Sequence, residues 1–398
     1  MCGAGGPRPP CPEVSPMTRR TWIPLTAALG AVALSLSLMN ASAGSAGAPT
    51  TSMAAGSTDA QTQQIVTAAQ AFLGTLSAAQ RQSVAFAFTD SAQRARWSNF
   101  PTGIFQRQGL RWGDLNATQR AALTALLGSV LSPDGLKMVQ QQMAADDILK
   151  AESTGGAPQG QTGPAPTGQG QPPAGRSGGP GGALVFGSDE YYVAFLGTPS
   201  ATGAWTLQFG GHHLAINATV AGKNVTLSPS LTGGQPVRRT SGGKTTTVID
   251  KVPQEIRDAS ALLGSLSAAQ KARAVISSQS IDLVLGPGQD GRTLQPEGLS
   301  AAAMTAAQQT ALLKLIQDRL GILNADDLKA RMTDIRKNLA KTTFAWYGPT
   351  NGSAAYYRVS APTAIIEFSP QSMGGDATNH LHNMYRDPSN DYGAAWTR

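Results

Sequence analysis

AFLGTLSAAQ at residues 71–80 recurs as ALLGSLSAAQ at residues 261–270. After each copy the same features follow in the same order: a Gly-Leu pair, a helical pattern that opens with Ala-x-Gln, a second helical pattern and a β-rich block. Such a period is typical of an internal repeat, with shared composition as the alternative origin of the match. We predict an α+β fold in which a helix-then-antiparallel-sheet unit is used twice, through an internal duplication.

Hydrophobic periodicity indicates the helices and strands of each unit. Apolar residues three and four positions apart predict helices at 117–131, 134–152, 306–320 and 324–339. Alternating apolar and β-branched residues predict strands at 191–196, 204–209, 212–220, 225–227, 343–347, 354–359 and 364–368. Two related units that pack about a pseudo-two-fold axis leave a cleft at their seam, so we expect a central cleft to hold any site.

Composition divides the rest of the chain. Residues 61–250 form the first predicted unit and residues 251–398 the second. The stretch 44–60 is small and polar without an apolar period, and it is predicted to be a disordered tether. The Gly-, Pro- and Gln-rich stretch 153–182 cannot bury an apolar face, so we predict a flexible insertion in the first unit.

The N-terminal 43 residues have the three parts of a signal peptide. Paired arginines follow Met17, an apolar run covers residues 23–39, and Ala-Ser-Ala ends at residue 43. We predict that translation starts at Met17, after an upstream extension, and that the protein is exported to the periplasm or beyond the cell. The paired arginines resemble a twin-arginine signal, with an ordinary secretory signal as the alternative. Later stretches are too polar for a stable membrane anchor.

Charge and cysteine content exclude two classes of function. The chain has 31 Lys and Arg against 24 Asp and Glu, and these basic residues are not gathered in one run. A nucleic-acid partner is therefore not predicted. Cys2 and Cys11 both precede Met17, so the predicted mature chain has neither a disulfide framework nor a thiolate metal site.

All four histidines lie in two motifs, Gly-Gly-His-His-Leu and Asn-His-Leu-His-Asn. Adjacent residues on a strand point to opposite faces, so His212 and His213 are not expected to share an ion unless the strand bends at the glycines. His380 and His382 lie two positions apart on an extended segment and share a face. We predict that His213, His380 and His382 bind a divalent metal (zinc, copper or iron), with His212 as a ligand or as a neighbour that orients one.

The C-terminal polar segment offers further groups for such a site. Asp387 and Asp391 are candidate ligands or orienting partners of a ligand imidazole. Arg386 is a candidate clamp for an anion or carboxylate. Glu367, at the end of an apolar strand pattern, is the candidate general base. An Arg-Asp-Pro turn that only holds the chain together is the alternative interpretation of this segment.

A loop after the first helices has the composition of a ligand-binding site. Arg94, Arg96, Trp97 and Asn99 combine two guanidinium groups, an indole and an amide. Such groups bind a carboxylate or a sugar by stacking and by forked hydrogen bonds. The predicted partner is a small molecule or a cell-envelope ligand. In the alternative interpretation Trp97 only seals the contact between helix and sheet.

Several motifs together resemble a secreted family known as domain of unknown function 3500 (DUF3500). They are WSNFP at 97–101, DEYY at 189–192, QFGGHHL at 208–214, Glu-Phe at 367–368, His-Leu-His at 380–382, RDP at 386–388 and NDYG at 390–393. The resemblance covers most of residues 65–398. Because the family has no assigned function, the resemblance implies membership and no activity.

These observations leave three interpretations of the histidines open. They form a metal site that supports hydrolysis or oxidation, a metal-free polar or catalytic site, or a set of purely structural hydrogen bonds. A non-catalytic module that binds an extracytoplasmic ligand is the alternative function for the whole chain. Geometry separates them, because three imidazoles that share an ion must lie within about 4–5 Å of one another.

Overall fold

A computed structural model describes residues 59–154, 183–351, 354–373 and 375–397, all of them in one compact unit. The predicted signal peptide at 1–43 and residues 44–58 of the predicted tether lie outside the described residues. Residues 155–182 of the predicted insertion also lie outside the described residues. The first two residues of that insertion, 153 and 154, belong to a helix. The predictions for these stretches remain predictions.

Ten α-helices occur in the part of the chain that the structure describes. They are α1 (Ala60–Gly74), α2 (Ala78–Val84), α3 (Ser91–Arg94), α4 (Ala117–Val130), α5 (Pro133–Thr154), α6 (Lys251–Ser265), α7 (Ala268–Ala274), α8 (Ala306–Leu320), α9 (Ala325–Lys337) and α10 (Ala394–Thr397). Among these described helices, none combines the length and the apolar character needed to cross a bilayer.

Thirteen of the fifteen described strands join one large sheet, and β8 and β9 form a separate exposed hairpin. The strands are β1 (Ala85–Phe86), β2 (Leu110–Arg111), β3 (Tyr192–Leu196), β4 (Trp205–Gly211), β5 (Leu214–Ala221), β6 (Asn224–Thr226), β7 (Ser230–Gly234), β8 (Arg238–Ser241), β9 (Lys244–Thr247), β10 (Val275–Ser277), β11 (Leu299–Ser300), β12 (Thr343–Tyr347), β13 (Tyr356–Ala361), β14 (Ala364–Pro370) and β15 (Leu381–Arg386). The α+β fold class is therefore confirmed in its coarse form.

The repeated stretch forms the same local structure in both copies. Ser77 and Gln80 make a capping box at the start of α2, and Ser267 and Gln270 make one at the start of α7. In each box the serine accepts from the backbone of the glutamine, whose side chain accepts in return, so two free N–H groups of the first turn are satisfied. The repeated stretch therefore forms the same local hydrogen-bond pattern in both copies.

The strand order of the large sheet is nearly a palindrome, β1-β3-β4-β5-β7-β15-β14-β13-β12-β10, with β2 beside β3 and β11 beside β12. Each half is an antiparallel meander edged by one short parallel pairing, β1 with β3 and β10 with β12. The sheet is therefore mixed, whereas the sequence patterns predict antiparallel units. The patterns also fail to predict β7, which pairs with β15 at the centre.

The two halves meet in a continuous sheet. β7 and β15 pair along five residues, and Leu131 and Leu323, at the ends of corresponding helical segments, form an antiparallel bridge. The expected central cleft is not confirmed, and neither is the duplication. The halves have separate apolar cores, one formed with α1, α4 and α5 and one with α6, α8 and α9.

The sheet face away from these two cores carries polar side chains and a small apolar cluster. Alternate side chains of β5, β7 and β15 leave the helical cores and meet Trp97 in a small cluster with Ala215, Leu231 and Met384. The loop that bears Trp97 covers the first half of this face. Residues Val284 and Leu285 cover the second half, where their backbone N–H groups donate to Glu367.

Candidate metal centre

His212 and His213 form the tip of a two-residue hairpin. Gly211 at the end of β4 pairs with Leu214 at the start of β5, which leaves the two histidines as the loop. The predicted strand from residue 212 therefore begins two residues later. His213 has a φ of 61°, a left-handed conformation that costs a non-glycine residue energy and that is concentrated at functional sites. Because His212 and His213 lie in the turn and not on a strand, their rings do not point to opposite faces of the sheet. The two ring centroids lie 3.7 Å apart.

The glycines before this tip make room for its supports. A Cβ atom on Gly211 would lie 2.7 Å from the ring of Tyr191, so only glycine fits beneath that ring. The Tyr191 hydroxyl donates to the carbonyl of His212 at 2.8 Å. Arg107 donates to the carbonyl of Gly211 at 2.8 Å, and the backbone N–H of His213 donates to Asn99 at 3.3 Å. The tip is therefore held by hydrogen bonds outside the strand ladder.

The second pair of histidines comes from the centre of the sheet. His380 precedes β15, and His382 lies on β15 opposite Gly233 of β7. A Cβ atom at Gly233 would approach the carbonyl of Leu381 to 2.4 Å and the ring of His382 to 3.4 Å. Glycine at this position gives the His382 ring its space.

The three predicted ligands converge. Ring centroids of His213 and His380 lie 4.8 Å apart, and the other two ring pairs are each separated by 5.0 Å. The Nε2 atoms of His213 and His380 are 2.8 Å apart, and one ligand nitrogen from each of the three residues lies within 4.8 Å of the others. This satisfies the geometric test for a shared ion, since two nitrogens on one tetrahedral zinc lie about 3.3 Å apart.

All three imidazoles are ready to act as ligands. Burial lowers the pKa of His380 to about 4 and the pKa values of His213 and His382 well below the usual range. They are neutral at pH 7, the form that binds metal. The Nδ1–H of His380 donates to the carbonyl of Met373 at 2.8 Å. A carbonyl can only accept, so the lone pair of His380 is on Nε2, the atom that faces His213.

One ring nitrogen of the cluster is left unpaired. The Asn99 amide nitrogen lies 3.4 Å from Nε2 of His382, and Nδ1 of His382 is buried without a hydrogen-bond partner. Buried polar atoms are nearly always satisfied, and an exception indicates a missing water or ion. The donor set and this vacant valence fit a bound metal ion.

A carboxylate that the sequence patterns do not predict supports the hairpin tip. Asp146 of α5 lies 2.6 Å from Nδ1 of His212, and both side chains are buried. Asp146, His212 and His213 form a second group with the spacing of a metal site. Asp146 falls three residues after Met143 and seven after Val139 on the buried face of α5. An acidic residue at an apolar helical position is the signal that could have indicated it.

A protein-family model matches most of the chain. The model of the family described as "Protein of unknown function (DUF3500)" matches residues 58–394. The chain belongs to the DUF3500 family. No curated protein and no solved structure matches it. The resemblance noted in the sequence is confirmed, and family membership brings no activity to this DUF3500 chain.

The acidic and basic groups of the C-terminal segment do not meet the histidines. Arg386 donates from Nε to the carbonyl of Leu285 at 2.9 Å and pairs with Asp391 at 2.7 Å and Asp290 at 2.9 Å. Asp387 pairs with Arg331 at 2.9 Å. Neither Asp387 nor Asp391 belongs to either metal-like group. In this DUF3500 chain the segment forms an internal clasp, the alternative interpretation of the Arg-Asp-Pro turn.

The Glu367 carboxylate also makes its hydrogen bonds to groups within the chain. It accepts from the Tyr356 hydroxyl at 2.6 Å and from the backbone of Val284 and Leu285 at 2.8 and 2.7 Å. The side chain is fully buried, and burial raises its pKa. These bonds fasten the covering loop to β14. The general-base role stays a prediction that these contacts do not support.

The arginine and tryptophan loop is divided between two places. Asn99 lies against His213 and His382, as described above. Trp97 donates to the hydroxyl of Tyr392 at 2.8 Å and lies beneath Arg386, at 5.7 Å from the guanidinium carbon to the ring centre. Arg94 lies over the ring of Phe88 at 5.0 Å. Arg96 lines a pocket beside the hairpin.

Proposed function

We propose that this DUF3500 protein binds one divalent transition-metal ion through His213, His380 and His382. The observation that carries the proposal is the convergence of three buried, neutral imidazoles whose ligand atoms lie within 4.8 Å of one another. Three imidazoles leave one tetrahedral position for water or substrate, the arrangement of catalytic rather than structural zinc sites. The alternative, a set of purely structural hydrogen bonds, leaves Nδ1 of His382 without a partner among the protein groups.

The bound ion would supply the reactive chemistry, hydrolysis through an activated water for zinc, or oxidation for copper or iron. The chain's own residues hold the site in shape. Met373 sets the tautomer of His380, Asn99 approaches His382, and Asp146 orients His212 beside His213. Such outer contacts raise ligand basicity and fix ring orientation. His212 is assigned to this orienting role, because it is not part of the three-histidine group.

Two further proposals concern the whole chain. We propose export, which is supported by the signal-peptide pattern at residues 17–43. Amino-terminal sequencing of the exported protein tests it, with Gly44 as the expected first residue. We propose an internal duplication, which is supported by the palindromic strand order and the matched capping boxes. Sequences of relatives that hold one half alone would test it.

The metal proposal is tested by elemental mass spectrometry of protein purified without a histidine tag. We expect about one zinc, copper or iron ion per chain, and none in a variant with His380→Ala and His382→Ala. Thr363→Ala, in the two-residue turn between β13 and β14, is the matched control and is expected to keep the ion. Wild-type protein without metal after purification and after incubation with each ion would overturn the proposal.

A further inference from the structure

A polar pocket lies beside the candidate metal centre, between the loop of residues 93–108 and strands β3, β4 and β5. Its enclosed part is small, about 20 Å³, and the rest is open to solvent. Gly210 and Leu214 line it, and they flank the hairpin tip that bears the histidines. The pocket is on the polar face of the sheet, where Gln208 and Asn217 pair across β4 and β5.

Two guanidinium groups at this pocket each have an unpaired buried nitrogen. Nε of Arg96 and Nη1 of Arg107 are buried without partners. Nη2 of Arg107 donates to three backbone carbonyls, which bring no charge. Among the described residues neither arginine forms an ion pair. Burial lowers the pKa of Arg107 to about 10, so it is still charged at neutral pH.

The described acids near Arg107 form no ion pair with it. Asp146 is bonded to His212 at 2.6 Å, and Glu190 pairs with Arg111 at 2.7 Å. A buried cation is costly unless an anion faces it. A negative group from outside the chain would satisfy the free nitrogen of Arg107 and that of the half-buried Arg96. A carboxylate fits, because guanidinium donors match its two oxygens.

A third unpaired atom in the pocket is an acceptor. The amide of Asn217 donates to the carbonyl of Pro229, Gln208 donates to Asn217, and Gln93 donates to Gln208 at 3.1 Å. This chain of bonds fixes the direction of each amide, so the oxygen of Gln93 is the atom left buried and unpaired. An acceptor in this position calls for an O–H or N–H donor on the ligand.

We propose that the pocket binds a small carboxylic acid that carries a hydroxyl or amino group beside the carboxylate. The carboxylate faces Arg96 and Arg107, and the adjacent donor faces the oxygen of Gln93. This site does not depend on the metal proposal. If both are correct, the hairpin that presents His213 also forms one wall of the carboxylate pocket.

Isothermal titration calorimetry on chelator-treated protein tests this site without any metal. The probes are glycolate, acetate, which lacks the hydroxyl, and glycolamide, which lacks the charge. We expect saturable binding of glycolate, weaker binding of acetate and none of glycolamide. Arg96→Gln is expected to weaken glycolate binding by about tenfold or more, the value of one charge-assisted hydrogen bond. Arg96→Lys, which keeps the charge and loses the fork, is expected to lie between.

Arg94→Gln is the matched control, because Arg94 lies two residues away and does not line the pocket. It is expected to bind glycolate like wild type. Gln93→Met is expected to bind acetate and glycolate equally. The proposal is overturned if no carboxylate binds, which would mean that water alone fills the pocket, or if Arg94→Gln and Arg96→Gln weaken binding equally. Elemental analysis of Arg96→Gln keeps a failure here separate from failure of the metal site.

Discussion

The hairpin tips of the two halves occupy matching places in the sheet and differ in what they carry. Gly211 pairs with Leu214 across one tip, and Ala361 pairs with Ala364 across the other. The first loop is His212-His213 and the second is Pro362-Thr363. Each loop is bonded to an aspartate of a helix from its own half, Asp146 of α5 or Asp334 of α9. One scaffold thus supports two different loops.

The second tip makes its hydrogen bonds to residues of its own half. The Thr363 hydroxyl donates to Asp334, and its carbonyl accepts from Arg331. The first tip instead extends to β15, where His213 meets His380 and His382 of the other half. The comparison teaches that the fold supplies the position and that two loop residues decide whether it becomes a site.

Replacing the residue at the tip is expected to have the largest effect. His213→Asn keeps a side chain that tolerates the left-handed conformation and removes one ligand. Metal affinity is expected to fall by more than about 100-fold, beyond the usual loss for an outer contact. Thr363→Ala is expected to leave metal affinity unchanged. Chelator competition measures both, and equal affinities in the two variants would end the distinction between the tips.

Replacing the supporting aspartates is expected to have the next largest effect. Asp146→Asn keeps the size of the side chain but loses the charge that orients His212, so metal affinity should fall by about tenfold. Asp334→Asn is the matched change in the other half and should leave metal affinity as in wild type. The same chelator competition applies. A loss in Asp334→Asn as large as in Asp146→Asn would point to general destabilisation.

The first turns of α5 and α9 provide a test by pH. Asp327 occupies the position that Gly135 has in α5, and burial raises its pKa to about 6. Because this folded-state pKa lies above the unfolded value near 3.9, its contribution to stability is complete below pH 4 and is lost as the pH rises through 6. We expect unfolding free energy to drop by about 1–2 kcal/mol over that window.

Asp327→Asn should remove this dependence, and urea unfolding at pH 4, 5, 6 and 7 measures it. Val225 donates to Oδ1 and Asn324 donates to Oδ2 of Asp327, so Asp327→Asn keeps an acceptor for one of the two donors and removes the titrating group. A pH profile that Asp327→Asn leaves unchanged would show that another group titrates there.

The smallest effect is expected from replacing the two glutamines that make matching hydrogen bonds in the two halves. Gln119 caps α4 and donates to Thr75 and Gln80, and Gln308 caps α8 and donates to Ser265 and Gln270. Gln119→Ala and Gln308→Ala should each lower the free energy of unfolding by about 1 kcal/mol. Urea denaturation measures both. A loss in one variant only would show that the matched hydrogen bonds do not stabilise the halves alike.

Local patterns could be predicted from the sequence, and pairings over long distances could not. The capping boxes follow from residues three apart, and β12 has the predicted bounds. β7 has the sequence Ser-Leu-Thr-Gly-Gly, which lacks the β-branched pattern of a strand. It becomes a strand because β5 and β15 flank it.

In the candidate site, too, local motifs could be predicted from the sequence and contacts over long distances could not. Histidine motifs indicate ligands, and their convergence agrees with the prediction. Asp387 is five residues from His382 in sequence, but β15 is extended, so the strand carries it about 16 Å away. Asp146 and Arg107 are distant in sequence and reach the hairpin only in the folded chain.

The contact between His213 and His380 joins residues 167 positions apart. Closing so large a loop is slow, because its entropic cost comes before any contact repays it. His380 and His382 follow the whole of the first half in sequence, so they are synthesised after it. Each half can therefore form its own core before β15 pairs with β7 and brings the histidines together.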